Sequence, residues 1–377
     1  MQNGNPFDIL KYCAFFIAVL LLASCASQRT TTELPIESPD SFSMEGDTIA
    51  PDRWWTAFGD DNLNAWVDSA MTSNFTLQSA WQRLIASRAV VMREQAPLFP
   101  TLEADVSADR QRFADSGRIT EELSLGLSTV YEVDLWGRIR SAVEAEQLRA
   151  EASLFDYQAA AITLSAEVTQ NWFELAEANA QLSLVNEQVE TNERVLSLLR
   201  NRFGSGQIRA VDILRQQQLL EATIEQRLTA EERISILKNQ FSVLTGRIPT
   251  GNMSINPTLI DDLPPLPETG IPLELVERRP DVRVAYNRLL AADRDVASAI
   301  SSQYPRLSLR VNASTFQNSA TSLFEDFALS FAGNLIAPIF LGRELQAEVE
   351  RTQAVQIELL YDYGQSVLNA FREVEDA

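Results

Sequence analysis

The sequence predicts an α+β membrane protein built as a tandem repeat of a helix-strand-strand-helix unit. Three observations predict it. Two segments match at a constant offset of 205, the hydrophobic period switches from helical to alternating inside each copy, and the long stretch 139–203 lacks both glycine and proline.

The repeat is read from LQSAWQRLIASRAVVMREQAPLFPTLEADVSA, starting at Leu77, against VRVAYNRLLAADRDVASAISSQYPRLSLRVNA, starting at Val282. Ala80 matches Ala285, Arg83-Leu84 matches Arg288-Leu289, Pro100 matches Pro305, and Gly137-Arg138 matches Gly342-Arg343, all without a gap. Chance produces stray Ala and Leu matches. It does not readily produce a paired Pro and a paired Gly-Arg at equal spacing. Between the copies, Pro249, Pro257, Pro264, Pro265, Pro267 and Pro272 crowd together. Each proline removes a backbone donor and clashes with the preceding turn, so no helix crosses this zone. The first copy is therefore assigned to 61–248, a Pro-rich linker to 249–279, and the second copy to 280–377.

Within the first copy, a helix is predicted over 61–96, free of Gly and Pro and capped by Asp60 or Asp61. A hairpin follows over 100–135. Leu102, Ala104, Val106 and Ala108 alternate with Glu103, Asp105, Ser107 and Asp109. Leu123, Leu125, Leu127, Tyr131, Val133 and Leu135 alternate with Ser124, Gly126, Ser128, Glu132 and Asp134. This is the pattern of strands with one apolar and one polar face. The second copy repeats it over 305–340, where Leu307, Leu309 and Val311 oppose Ser308, Arg310 and Asn312, and Phe327, Leu329, Phe331 and Leu335 oppose Ala328, Ser330, Ala332 and Asn334. Such strands suit a half-buried soluble sheet or a membrane barrel wall. Four of them cannot close a barrel, which needs about eight or more, so a barrel requires several chains.

A coiled coil is predicted over 139–245. Residues 139–203 would extend roughly 98 Å as a helix. Val168, Leu175, Leu182, Val189, Leu196 and Phe203 recur at heptad spacing, with Ala178, Val185 and Leu199 between them. Gly204-Ser205-Gly206 turns the chain, and a second helix returns over 209–245 with Ile213, Leu220, Ile234 and Phe241 in register, ending at Gly246. The opening helix and the returning helix together match the long helix in length. Stacked end to end, they would lie along it.

Composition narrows the function classes. The 377-residue chain has a net charge of -21, which disfavours nucleic acid as a partner. It contains no histidine, so the commonest general base and metal ligand is absent. Ser205 between its glycines has no base to activate it; no catalytic constellation, metal site or cofactor is expected. The two cysteines, Cys13 and Cys25, sit near the start. The apolar run from Cys13 to Ser24 is too short to span a bilayer and reads as the core of a secretory signal over 1–24. It ends in Leu22-Ala23-Ser24-Cys25, which resembles a bacterial lipobox and makes Cys25 the candidate lipidation site. Residues 25–60 are read as a lipid-anchored tether, rich in Thr, Ser, Pro and Glu at their start.

In order along the chain, WWTAFGDDNLNAWVDSAM, YEVDLWGRIR, RFGSGQIRAVDILRQQ, VERRPDVRVAYNRLLAA, APIFLGRELQAEV and NAFREVEDA resemble the segment signatures of the outer-membrane efflux proteins of tripartite pumps, in their lipoprotein branch. The resemblance implies a homotrimer whose four strands per protomer form a twelve-stranded outer-membrane barrel, continued by an α-helical periplasmic tunnel. It implies partners in a periplasmic adaptor and an inner-membrane transporter, with outer-membrane lipids around the barrel, and export of drugs or other small solutes. In that reading Glu103, Asp105, Glu132 and Asp134 on the polar strand face line the lumen. The turn carrying Arg202, Gly204, Ser205, Gly206 and Asp212 either simply reverses the chain or is the periplasmic tip that meets the adaptor. A protein-secretion version of the same channel and a purely structural coiled-coil lipoprotein are the competing readings; the latter leaves the two amphipathic hairpins unexplained. The first copy runs on from Gly137 through a complete helical hairpin to Gly246, whereas the second, from Gly342 to Ala377, spans only part of one long helix. By the repeat's arithmetic the second copy is truncated. The resemblance places the periplasmic gate in the missing hairpin, so no gate residue is named.

Overall fold

The computed structural model describes residues 52–250 and 278–376 except 320, 323 and 325, together with 255, 257, 259, 264 and 265. After a short 3-10 helix at Trp54–Phe58 come α1 (Asp61–Ser73), α2 (Phe75–Gln95), β1 (Thr101–Arg112), β2 (Ile119–Val133), α3 (Arg138–Gly204) and α4 (Ala210–Leu244). The second copy supplies α5 (Pro280–Ser301), β3 (Arg306–Gln317), β4 (Ala328–Ile336) and α6 (Glu344–Asp376). The offset of 205 carries the start of α2 onto the start of α5 and the whole of β1 onto β3. The chain divides into two compact units, and the long helix α3 contributes to both.

One unit holds Ile85–Ser153 and Asp281–Arg372. Its sheet has the order β1-β2-β3-β4, every pair antiparallel. Directly paired residues share a face of a sheet. The register sets Val106 opposite Leu125, Leu125 opposite Thr315, and Leu127 opposite Ala313, which pairs with Leu329. All four strands thus present most of their apolar residues on one common face, as the alternation predicts, while Val130, Phe316 and Ile336 fall on the other. Beside the sheet, α5 meets the first turn of α3, where Ser298 Oγ donates to the Arg138 carbonyl at 3.1 Å, and α6, where the Gln356 amide donates to Asp293 Oδ1 at 3.1 Å. Tyr286 of α5 meets Tyr363 of α6 at 5.4 Å. Among the described residues no helix is long and apolar enough to cross a membrane.

The other unit holds Pro39–Leu84, Leu154–Pro280 and Glu373–Ala377, of which the described residues form a helical assembly. Val168, Leu175, Val189 and Leu196 of the heptad seam are buried, Leu182 is half-buried, and Phe203 near the turn is exposed. Trp172 and Phe241 form the centre of the core with Leu63, Val67, Leu237 and Ile255. Polar side chains fix the register of α3 against α4. The Asn192 amide donates to Thr223 Oγ1 at 2.9 Å, the Gln216 amide donates to Asn192 Oδ1 at 3.1 Å, and Arg233 pairs with Glu174 at 2.6 Å.

Four boundaries differ from the sequence expectation. The tether assigned to 25–60 does not extend to 60: Trp54, Trp55 and Phe58 pack in the core, Trp54 Nε1 donates to Ser165 Oγ at 3.1 Å, and Asp60 caps α1 while accepting from Trp172 Nε1 at 2.9 Å. The opening helix is not continuous over 61–96 but breaks at Asn74, whose backbone is extended. Asn74 Oδ1 accepts from the Leu77 N–H at 3.0 Å, capping α2, and its amide donates to the Leu244 carbonyl at 2.9 Å, closing α4. Ser73 Oγ donates to the Thr245 carbonyl at 2.8 Å. The end of α4 and the start of α2 therefore meet at this joint. Finally, Leu135 and Phe327 lie outside their strands. Pro338 closely follows the end of β4, where a proline cannot donate to a ladder.

Candidate channel wall and helix-turn tip

Among the described residues, the apolar face of the sheet is exposed. Leu102, Val106 and Phe331 are each about three-quarters exposed, and Leu127, Leu309, Leu329 and Leu335 are exposed as well. A contiguous patch of this kind marks a surface that meets an apolar medium or a partner. The opposite face is mainly polar, and its β1–β2 part is fitted together at close range. Ser107 Oγ and Ser124 Oγ share a hydrogen bond at 2.8 Å across β1 and β2. Asp105 pairs with Gly126, and its carboxylate occupies the space a Cβ on Gly126 would take. Only glycine leaves room for that carboxylate to fold across the strand.

The four acidic residues read from the alternation are not equivalent. Glu103 and Asp105 lie on β1, on the polar face, with exposed side chains. Glu132 lies on the same face near the end of β2 and is held at 2.7 Å by Arg138 of α3. Asp134 is off the strand altogether. Its two oxygens accept from the backbone N–H groups of Ile139 and Arg140 at 3.2 and 2.9 Å, and its carboxylate also pairs with Arg140. A carboxylate at a helix N-terminus satisfies orphan donors and complements the helix dipole. Asp134 is therefore the cap of α3, a role the alternating pattern conceals.

At the far end of α3, Arg202 to Asp212 reverse the chain between α3 and α4. Gly206 takes a left-handed φ of 75°, the Gly206 N–H donates to the Phe203 carbonyl at 2.9 Å, and the Gln207 N–H donates to the Arg202 carbonyl at 3.0 Å. This is the Schellman stop, whose left-handed position favours glycine. Ser205 Oγ donates to the Arg202 carbonyl at 3.0 Å, a turn contact rather than a nucleophile's environment. Asp212 accepts from the Arg209 N–H at 3.2 Å and secures the first turn of α4. Gly204 is the last residue of α3. Residues Asn201 to Gln207, the end of α3 and the start of the turn, are all exposed. Arg200, Arg202, Arg209 and Arg215 stand near it against Asp212, a cationic end on a chain of net charge -21. Sequence reading left this local sign reversal unused, although arginine spacing alone reveals it. Cys25 lies outside the described residues.

Comparison with known proteins agrees with this geometry. The model of the family described as outer membrane efflux protein matches residues 66–247 and 271–377. The pyoverdine export outer membrane protein OpmQ of Pseudomonas aeruginosa is 30% identical, over 97% of this chain and 80% of its own length. Among solved structures, CusC superposes with a TM-score of 0.84 at 24% identity, covering 94% of this chain and 82% of that one. A membrane protein from Pseudomonas aeruginosa gives 0.83 at 28% identity with the same coverage. The repeat, the four-stranded sheet and the long helical hairpin are thus those of a recognised class, and the chain belongs to the outer membrane efflux protein family.

Proposed function

We propose that this chain is the outer-membrane channel subunit of a tripartite efflux pump and that it acts as a homotrimer. The observation that carries the reading is the sheet, which has four strands, two unpaired edges on β1 and β4, and one apolar face left bare. Within a bilayer an unpaired strand edge costs several kcal/mol per backbone group, so only a closed barrel is stable there. Pairing β1 of one copy with β4 of the next closes the edges, and three copies give twelve strands. Lipid then covers Leu102, Leu127 and Phe331, and Glu103, Asp105 and Glu132 face the aqueous lumen.

Cargo enters this scheme from the other end. The Arg202–Asp212 turn meets a periplasmic adaptor, and its arginines favour an acidic or carbonyl-rich contact surface. An inner-membrane transporter selects the drugs or other small solutes to be exported; the relative OpmQ is named for pyoverdine. Cys25 carries the lipid that anchors the subunit in the outer membrane. Two measurements on detergent-purified protein test the proposal. Light scattering should give the mass of three chains, and planar bilayers should show discrete ion conductance. A monomer without conductance overturns it.

A further inference from the structure

The two copies of the repeat treat one turn in opposite ways. In the first copy, the strand-to-helix turn after β2 docks on the second copy's junction between α5 and β3. Trp136 stacks on Tyr304 with ring centres 5.0 Å apart, Trp136 Nε1 donates to the Pro305 carbonyl at 2.8 Å, and Ser301 Oγ donates to the Trp136 carbonyl at 3.0 Å. The offset of 205 turns Trp136 into Leu341, Tyr304 into Phe99 and Pro305 into Pro100. The equivalence extends to the backbone, since Gly137 and Gly342 both adopt a left-handed φ.

Yet both halves of this second contact are bare in the single chain. Ile339 is 96% exposed, Phe340 85% and Leu341 50%. Their counterpart surface is also open, with Phe99 67% exposed and Pro100 exposed. The polar anchors of the first turn are gone as well: Glu132 and Asp134, which tie it to α3, are replaced by Ala337 and Ile339. The second turn has exchanged self-anchoring for an apolar surface. Contiguous exposed apolar groups of this size mark an interaction site.

We infer that the second turn of one subunit docks on the helix-strand junction of the next, with Leu341 against Phe99 and Pro100. The contact is the between-chain copy of the Trp136–Tyr304 contact. It rests on the homotrimer reading, and it supplies what strand pairing alone lacks, a side-chain lock at the foot of the sheet. Each chain carries one donor turn and one acceptor junction, so the contacts run head to tail and close into a ring.

Cysteine pairs in the full chain test this directly. Phe99→Cys with Leu341→Cys replaces exposed groups, and an unchanged circular dichroism spectrum checks that the fold is kept. After oxidation, or treatment with a short bismaleimide, most of the protein should run at two and three chain masses on denaturing gels. Each single variant, and the wild type with its native Cys13 and Cys25, should stay at one. Trp136→Cys with Tyr304→Cys should lose its free thiols without gaining mass, the within-chain control. Light scattering before cross-linking reports the assembly separately. A trimer that gives no Phe99–Leu341 product overturns the docking contact and leaves the channel proposal standing, with lipid or the adaptor covering the turn. A 99–341 link formed within one chain also overturns it. A monomer overturns both.

Discussion

Leu237 on α4 is fully buried, whereas Leu127 on β2 is nearly half exposed. The same side chain serves two different media. In the helical unit the apolar groups face one another, and Trp172, Phe241 and Leu63 exclude water with no help from another chain. In the sheet most of them face outward on one surface. Regular patterning is equally strong in both. Periodicity therefore specifies which residues share a face; what covers that face depends on whether the chain itself provides a second layer. Among the described residues the helical unit has one, and the sheet does not on its apolar side.

The sharpest break in this comparison comes from the helical core. Trp172→Ala should cost about 3–5 kcal/mol, because a large buried ring leaves a cavity. Denaturant unfolding monitored by helix content reads it, and a loss under about 1 kcal/mol would place the core elsewhere. On the sheet, Leu127→Arg should cost roughly 2–4 kcal/mol in refolding into bilayers, and Ser128→Arg on the opposite face far less. Equal costs would cancel the assignment of faces. The joint between helices ranks next. Asn74→Ala removes a cap and strands the Leu244 carbonyl, for about 1–2 kcal/mol, and hydrogen exchange should rise first at the start of α2 and the end of α4.

The smallest effect concerns a group half inside and half outside. Burial pushes the Asp295 carboxyl above the usual range, while its ion pair with Arg149 pulls it back only in part. A folded-state pKa above the unfolded one means that folding favours the protonated form. Asp295 therefore adds stability as pH falls through its pKa, and that contribution is lost as pH rises past it. Comparing wild type with Asp295→Asn across a pH series should show a difference below about 1 kcal/mol, since both partners are partly exposed. A difference that shrinks to nothing at every pH would remove Asp295 from the strained groups.

Much of the fold was legible because the repeat and the periods are properties of the sequence itself. The offset of 205 set β3 from β1 to the residue, and the absence of glycine and proline over 139–203 set the ends of α3 almost where Arg138 and Gly204 place them. The break at Asn74 was not legible. Leu63, Val67, Ala70, Leu77, Ala80 and Leu84 keep a helical spacing straight through it, and its cause is the carbonyl of Leu244, remote in sequence. Asp134 was misplaced for a related reason: alternation continues past the point where the backbone leaves the ladder. Trp54 and Trp55 were assigned to a tether whose beginning is rich in Thr, Ser and Pro; their aromatic density was the neglected signal. Of the candidate site, the faces of the strands and the turn chemistry were readable. Which carboxylates are engaged by arginine and helix termini depends on tertiary neighbours.

The Asn74 joint also constrains how such a protein changes length over evolution. The joint pins one end of α4, and the Gly206 turn pins the other. A segment inserted in α3 between joint and turn would push the turn away and leave α4 too short to return. Insertions or deletions there are tolerated only in matched pairs, one in each helix, and in whole heptads that keep the apolar seam aligned. Each paired heptad would lengthen the hairpin by about 10 Å. Natural relatives of different reach should therefore differ in steps, with both helices altered together and the residues around the joint unchanged.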